Sequence, residues 1–510
     1  MNLIKIRKVT SGIILILFIL MFLGAEKLSV SLSTFLLPFQ GIPALMHTVT
    51  QPEVLFIIGL IFIVVITLLF GRVYCSFLCP LGALQDLLIA GSQRFRRQPG
   101  HSYSRPLNGL RYSLLALTVT TALLGSLSLV SLLDPTSLAG RIFTHFLQPL
   151  LIWTYNLGIL VLKPLNIYLY PKQTAFVPLS VLAVTVVFFL LIIYLAVARG
   201  RLYCNTVCPV GTFLGLLSHV SVFQFTLNQK SCSECVRCEN VCKASCIDPQ
   251  TACIDMSRCV GCFNCLNACS KATISYQRRQ SQTPADTWSP ARRGLILGSI
   301  TAAASFFALH TNIHSFLGIH TAKANSPVTP PGSLNKKHFT QVCTACSLCV
   351  SVCPTQVLTP TFMDFGVSGL LQPKMNYEKS FCEYECNLCG KVCPTGAILA
   401  LPLDEKKLTQ IGEAELLKDV CVVFVDHRNC GACGEVCPTH AIRFVDKQNI
   451  LYPEIDKQYC IGCGACQLAC PTAPRSIIIH ANPIHKKAEK YVSAETKVEQ
   501  KTPPDQDFPF

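Results

Sequence analysis

The stretch CTACSLCVSVCP, residues 343–354, sets four cysteines at the spacing C-x2-C-x2-C-x3-C and closes on a proline. Three thiols at two-residue gaps wrap one cube of iron and sulfide while the fourth reaches a neighbouring cube, which is the ligand pattern of [4Fe–4S] clusters. Versions of this phrase recur along the chain, which carries thirty cysteines in 510 residues. Structural zinc joins two C-x2-C pairs across a longer spacer, and disulfide frameworks belong to small secreted domains, so neither suits thiols this close together. Six such groups imply about six [4Fe–4S] clusters and therefore a carrier of single electrons.

Working outward, residues 330–485 hold four groups. Cys343, Cys346, Cys349 and Cys353 form the first, and Cys382, Cys386, Cys389 and Cys393 the second, with one extra residue in its first gap. Cys460, Cys463, Cys466 and Cys470 form the fourth. The third is irregular: Cys430, Cys433 and Cys437 match, but His427 takes the slot of the first cysteine and Cys421 stands upstream. Either His427 ligates in register or a looped segment delivers Cys421; alternatively Cys421 only packs in a valine-rich strand.

Residues 226–280 hold two more groups, Cys232, Cys235, Cys238, Cys242 and Cys259, Cys262, Cys265, Cys269. Exchange of fourth ligands would give one cluster Cys232, Cys235, Cys238 and Cys269, and the other Cys259, Cys262, Cys265 and Cys242. Lys243 and Ser270 stand where proline usually follows. Cys246 occupies the place that Ala397 holds after Cys393, so it reads as a small buried core residue; Cys253 also lies outside the motifs.

Half of the chain, 51%, is hydrophobic, only 14% is charged and the mean hydropathy is +0.44, as expected for a protein lying largely in a bilayer. Apolar runs at 12–24, 54–70, 110–133 and 177–198 reach or approach the ~20 residues a span requires. Arg72, Arg94, Arg96, Arg97, Arg105 and Arg111 crowd the loop between the second and third spans, which places it and the N-terminus in the cytoplasm. The apolar 134–176 segment is then an outer loop, re-entrant or interfacial. The net charge of +15 gathers beside apolar spans rather than in one aromatic-laced patch, so nucleic-acid binding is not expected.

Arg292 and Arg293 precede a short apolar stretch, so 290–324 reads as an internal twin-arginine signal or a fifth span, with Ala322-Lys323-Ala324 as an optional cleavage site. The domain organisation expected is a transmembrane domain at 1–225, a cytoplasmic two-cluster domain at 226–280, the signal or anchor at 290–324, a periplasmic four-cluster domain at 330–485 and a disordered tail at 486–510. In fold class this is an α-helical membrane domain of about four to five spans plus α+β ferredoxin-like [4Fe–4S] domains.

Four cysteines remain. Gly71-Arg72-Val73-Tyr74-Cys75-Ser76-Phe77-Leu78-Cys79-Pro80 is echoed by Gly200-Arg201-Leu202-Tyr203-Cys204-Asn205-Thr206-Val207-Cys208-Pro209, each after a span. Repetition of a whole phrase, G-R-x-Y-C-x3-C-P, points to a two-fold arrangement in which Cys75, Cys79, Cys204 and Cys208 converge, on a metal, on another cluster or as a redox pair. The alternative is chance packing at span ends.

Residues 1–280 resemble the NapH family of membrane ferredoxins, with paired C-x3-C-P loops and a cytoplasmic two-cluster ferredoxin. Residues 290–485 resemble NapG/MauM-type exported ferredoxins, so the chain looks like a fusion of the two. The resemblance implies Cys421 as the displaced ligand of the third group. It also implies that group one exchanges fourth ligands with group four, and group two with group three. Its functional implication is a quinol dehydrogenase component of an anaerobic respiratory chain in the bacterial inner membrane. Electrons would pass from the quinone pool to a periplasmic reductase, of nitrate reductase type or similar, or to a cytochrome. His47 and His145 are candidates for a quinone pocket, against the plainer reading of exposed loop histidines. No cluster motif falls within the ~30 Å hydrocarbon core, so the two cluster sets are not expected to exchange electrons directly. A rival reading is a copper-reductase-like maturation factor in which the C-x3-C-P loops are the working site.

Overall fold

The computed structural model describes residues 3–95, 102–279 (without 164, 165, 167, 168, 229–231, 233, 234, 249, 252, 270 and 272) and 326–491. The expected signal or anchor at 290–324 lies outside the described residues, as does most of the expected tail. A strand running to Lys487, with Ala488 buried behind it, carries the last domain slightly past its expected end.

The first half is a helix bundle. Leu3–Met21, Val54–Phe70, Asn108–Leu123 and Leu179–Arg199 correspond to the four apolar runs. Only Leu179–Arg199 is, by itself and among the described residues, long and apolar enough to cross a membrane. Val54–Phe70 is apolar but shorter, at about 25 Å by rise per residue. The third run breaks: Asn108–Leu123 stops, and Ser128–Leu133 starts after a turn at Gly125.

Two further segments enter the bundle. Glu26–Phe39 and Gly41–Thr50 form a pair bent by 93°. Pro135–Ile142 continues through Phe143–Leu147 into Gln148–Leu162, so the 134–176 segment is mostly helical. Asp134 caps the start of this run, accepting from the Ser137 backbone N–H at 2.7 Å, and Pro135 sits where a first helical residue needs no N–H.

The repeated phrase has a structural logic. Gly71 (φ +76°) and Gly200 (φ +66°) end their helices in a conformation that costs glycine little. Pro80 and Pro209 open the helices Pro80–Phe95 and Pro209–Ser218. Each phrase is thus a glycine stop, a short loop bearing two cysteines, and a proline start.

The two cluster-bearing domains sit at opposite ends of this bundle. In the 226–280 domain, Phe223–Leu227 pairs antiparallel with Ile274–Arg278, and Ile247–Asp248 with Cys253–Ile254. It holds the ends near residues 70, 111 and 200: Tyr276 Oη donates to Phe70 O at 3.0 Å, Arg111 Nη2 to Ser257 O at 2.8 Å, and Arg201 N to Lys243 O at 2.7 Å. The 326–491 domain pairs Leu358–Pro360 with Pro373–Met375, Ile442–Lys447 with Ile450–Ile455, and Thr409–Leu416 with Ile477–Lys487, around Phe339, Val350, Ile398, Ile411 and Ile479. It holds the other ends: Thr50 Oγ1 donates to Thr395 O at 2.8 Å, Gln148 Nε2 to Ser351 O at 3.1 Å, and Val181 packs on Ala345 and Leu371.

Candidate metal centres

The cluster motifs share a local geometry that explains their spacing. In the four regular groups the residue after the second cysteine is left-handed: Val236, Phe263, Ser347 and Gly464. That turn lets a short helix begin at once, as at Asn264–Ala268, Leu348–Val352 and Ala465–Ala469, so the third thiol swings back toward the first two. Gly464 alone of the four has no room for a side chain, since a Cβ would lie 2.0 Å from the Tyr377 ring.

Thiols from different groups ring common cavities. Cys353 joins Cys382, Cys386 and Cys389 around one, walled by Pro331, Leu358 and Met375. Cys437 joins Cys460, Cys463 and Cys466 around another, walled by Ala441, Ile455 and Ile479. Cys393 acts electrostatically on Cys343, Cys346 and Cys349. Neighbouring groups therefore exchange fourth ligands, one with two and three with four, which corrects the exchange expected from the resemblance. The hairpins Leu358–Pro360/Pro373–Met375 and Ile442–Lys447/Ile450–Ile455 fold each pair back on itself, so the fourth thiol of one group meets its neighbour.

At the irregular third group, Cys421 is buried and acts on Cys433 together with Cys430. His427 is exposed, and its Nδ1 lies 3.4 Å from Tyr452 Oη. The geometry brings Cys421, not His427, to the site, and it leaves Cys470 as the exchanged partner of this group. In the other domain, Cys242 acts with Cys259 and Cys262 on Cys265, in keeping with the expected exchange there, and Cys238 feels Cys232 and Cys235. Cys246 is buried as expected, but its sulfur is 3.6 Å from that of Cys242, closer to the chemistry than a packing residue need be. Cys253 is exposed.

These cavities fit iron–sulfur clusters. Their donors are thiols, and backbone N–H groups point at the sulfurs: Ile398 N at Cys393, Ala441 N at Cys437 and Ser476 N at Cys470, at 3.3–3.4 Å. Among the described residues no three His, Cys, Asp or Glu side chains converge on a single-ion site. Burial pushes Cys463 up to about 12 and Cys382 up to about 11. Neutral thiols are therefore the resting form until iron stabilises the thiolates, and loading releases protons. Burial also pushes Cys470 up, yet hydrogen bonding from Ser476 and Thr472 outweighs it and brings the thiol down to about 7.

The two C-x3-C-P phrases interlock reciprocally. Arg72 of the first donates to Cys204 O in the second at 2.9 Å, and Arg201 of the second donates to Cys75 O in the first. All four thiols are buried, and each lies within electrostatic reach of the other three. The phrase proves two residues longer than its sequence reading. Gly82 and Gly211 bring their N–H groups to Cys79 Sγ and Cys208 Sγ at 3.4 and 3.2 Å, and a Cβ on either would lie 2.2–2.3 Å from a cysteine carbonyl. The full repeat G-R-x-Y-C-x3-C-P-x-G was there to be found, but its last glycine has meaning only once the loop closes. Asp86 was also missed: it binds Arg7, Arg201 (2.8 Å) and Lys243 (3.0 Å) at once. Arg72 and Arg111, expected as topology markers in a solvated loop, are in fact fully buried.

His47 and His145 are buried rather than exposed. His47 stacks on Phe56 with ring centroids 3.8 Å apart and binds Gln51 O at 3.0 Å. His145 spans Thr185 Oγ1 at 3.1 Å and Ser347 Oγ at 3.4 Å, joining the bundle to the first cluster loop.

Four-thiol cavities in exchanged pairs define a ferredoxin-type iron–sulfur protein. Known families agree. A 4Fe-4S binding domain matches residues 53–98 and 181–228, the two phrase-bearing halves, and a 4Fe-4S dicluster domain matches 342–397 and 428–473. The chain is 25% identical over 260 residues to the putative electron transport protein YccM of Escherichia coli (strain K12), covering 50% of this chain and 65% of YccM. It is 27% identical over 240 residues to the ferredoxin-type protein NapH of the same organism, covering 45% of this chain and 70% of NapH. Over 98 residues it is 34% identical to the methylamine utilization ferredoxin-type protein MauM of Methylophilus methylotrophus, covering 19% of this chain and 42% of MauM. The match thus spans slightly less than two thirds of YccM and under half of MauM. No solved structure matches. The chain is thus similar to NapH-type and MauM-type ferredoxin proteins, and what it shares with them is iron–sulfur electron transfer.

Proposed function

We propose that this protein is the membrane-bound quinol dehydrogenase component of a respiratory chain, passing electrons from the quinol pool to a periplasmic reductase or cytochrome through the four clusters of residues 326–491. One observation carries the reading: the two cluster domains cap opposite ends of a helix bundle whose flanks expose apolar side chains. Ile13 and Ile16, Ile58 and Ile61, Leu160 and Val161, and Val187 and Leu190 face outward on four different helices. Exposed apolar surface on this scale is unfavourable in water and natural in lipid. It supports a multi-pass bundle in the bacterial inner membrane, with residues 226–280 on the cytoplasmic face and 326–491 on the periplasmic face.

Oxidation of a quinol releases two electrons and two protons, and iron–sulfur clusters supply one-electron acceptors for them. The chain's own residues hold the acceptors in thiol-lined cavities and surround their sulfurs with N–H and hydroxyl donors. The rival maturation role is disfavoured by the burial of Cys75, Cys79, Cys204 and Cys208, because a metal cargo needs a way in and out.

The test uses the full chain in sealed inner-membrane vesicles given a reduced quinol, with cluster reduction followed by EPR. Reduction of the clusters of residues 326–491 is expected. Clusters that stay oxidised, or protection of that domain from external protease in spheroplasts, would overturn the reading.

A further inference from the structure

The run from Asp134 to Gln148 turns a polar face toward the loop of cluster group one. Arg141 reaches Ala345 O at 3.4 Å, His145 Nε2 lies 3.4 Å from Ser347 Oγ, and Gln148 Nε2 donates to Ser351 O at 3.1 Å. The inner end is Asp134, wholly buried, one residue past Leu133, whose carbonyl accepts from Tyr203 Oη at 2.8 Å. The outer end is Gln148: a Cβ on Gly24 would lie 3.1 Å from its Nε2, and Ala25 and Glu26 beside Gly24 are exposed. A π-turn, Phe143–Leu147, interrupts the run at Thr144 and His145, a distortion that helices often keep at functional sites.

This face is buried but not satisfied. Asp134 Oδ1, Thr136 Oγ1, Arg141 Nη2 and Thr144 Oγ1 have no hydrogen-bond partner in the protein. Elsewhere in the bundle the buried Thr67, Thr118, Thr121 and Thr185 each donate to a carbonyl of their own helix, so the unpaired Thr144 hydroxyl is not the habit of a packed helix. Asp134 and Arg141 attract each other, yet each keeps one polar atom unpaired. Buried polar atoms left bare are costly, and the usual remedy is ordered water, which bonds about three of them at a time. The four atoms span about 15 Å of helix, further than one small ring could touch, and so suit a file of waters.

We propose that this face holds a file of buried waters that carries protons from Asp134 to the surface beside Gly24, with Asp134 and His145 as the exchanging groups. For its proton source this rests on the quinol reading above. Oxidation of one quinol to quinone releases two electrons, taken singly by clusters, and two protons. Each proton passes to the Asp134 carboxylate and leaves through the waters and His145, while no bond to iron or sulfur changes. The file runs beside the loop of group one, so proton and electron part at one place. Facing Asp134 are Arg141 of its own run, Tyr74 and Tyr203 of the two C-x3-C-P phrases, and Cys346; facing His145 is Arg141.

The test uses the full-length protein, purified anaerobically in detergent, with duroquinol as reductant and cluster absorbance followed by stopped flow. Asp134→Asn keeps the helix cap, since asparagine caps as well as aspartate, and removes only the proton acceptor. Reduction by duroquinol is expected to slow about 100-fold, with iron content and reduction by dithionite unchanged. The wild-type rate should rise with pH as Asp134 becomes a free acceptor, and the variant should flatten that rise. Asp134→Glu should keep most of the rate, and added formate, a small weak acid, should restore part of it to Asp134→Asn. An unchanged rate in Asp134→Asn, or a loss that neither glutamate nor formate repairs, overturns the proposal. Hydroxyl-radical footprinting read by mass spectrometry tests the waters without quinol. His145, only 5% exposed, should be labelled, and should lose its label in Thr136→Val/Thr144→Val. An unlabelled His145 in the wild type overturns the file whether or not the variants fold. If His145 is labelled while duroquinol fails to reduce the wild type, the file stands and the quinol reading is what fails.

Discussion

The two ferredoxin domains are attached to the bundle by different chemistry. The 226–280 domain is fastened by charge: Arg72 and Arg111 push guanidinium groups onto its Ser257 carbonyl, the Arg201 backbone N–H donates to Lys243 O, and Lys243 shares Asp86 with Arg7 and Arg201. The 326–491 domain is fastened mostly by neutral groups, through Thr50, Gln148 and His145, with Arg141 as its one buried guanidinium contact among those described. Their thiols differ as well. In the 326–491 domain the phrase Cys-Pro-Thr closes every group, and Thr355, Thr395, Thr439 and Thr472 each set a hydroxyl 3.1–3.9 Å from the preceding cysteine sulfur. In the 226–280 domain Cys242 is followed by Lys243 and instead meets Cys246, and Cys269 meets a hydroxyl outside any Cys-Pro-Thr phrase, that of Thr273 at 3.0 Å. The difference teaches that one domain is locked to the bundle's charged end, while the other carries sulfurs tuned by a repeated hydroxyl.

The largest expected effect tests the one irregular site of the 326–491 domain. Cys421→Ser is expected to remove about one cluster, roughly four iron per chain, while His427→Ala leaves iron unchanged; iron and labile-sulfide assays decide, and the reverse result would restore the histidine. Next in size is the charged lock on the 226–280 domain. Asp86→Asn leaves buried cations facing one another and should cost about 3–5 kcal/mol, seen as a large drop in thermal unfolding temperature in detergent. The matched change at a half-exposed pair within the 326–491 domain, Asp364→Asn beside Lys374, should cost no more than about 1 kcal/mol. Equal losses would show that burial of the Asp86 cluster adds nothing over an exposed pair. The smallest effect concerns the hydroxyls. Thr439→Val removes one hydrogen bond to Cys437, worth about 1 kcal/mol, and should lower the midpoint potential of that cluster by about 40 mV, measured by EPR-monitored redox titration. An unmoved potential would reduce the Cys-Pro-Thr phrase to a packing motif.

Much of the site was legible because cluster ligation is local. A C-x2-C-x2-C-x3-C group needs only one left-handed residue after the second cysteine to bring three thiols together, so reading the spacing amounts to reading the site. The fourth ligand is not local. Exchange between groups one and two depends on the hairpin Leu358–Pro360/Pro373–Met375, and nothing in the cysteine spacing distinguishes that from exchange with a more distant group. Helices were likewise visible as apolar runs. The break after Leu123 and the 93° bend after Phe39 were not, because composition stays apolar through both.

By itself the sequence determined the redox chemistry, the number of regular cluster groups, the existence of a two-fold phrase and the apolar character of the first half. Those follow from ligand spacing and side-chain hydropathy, which are properties of short segments. Only the tertiary structure decided which thiols share a cavity, that Cys421 rather than His427 lies beside Cys433, and that arginines expected in a solvated loop are buried around the C-x3-C-P cysteines. These are long-range pairings: Arg72 meets Cys204 and Asp86 meets Lys243 only when the two halves of the bundle close on each other.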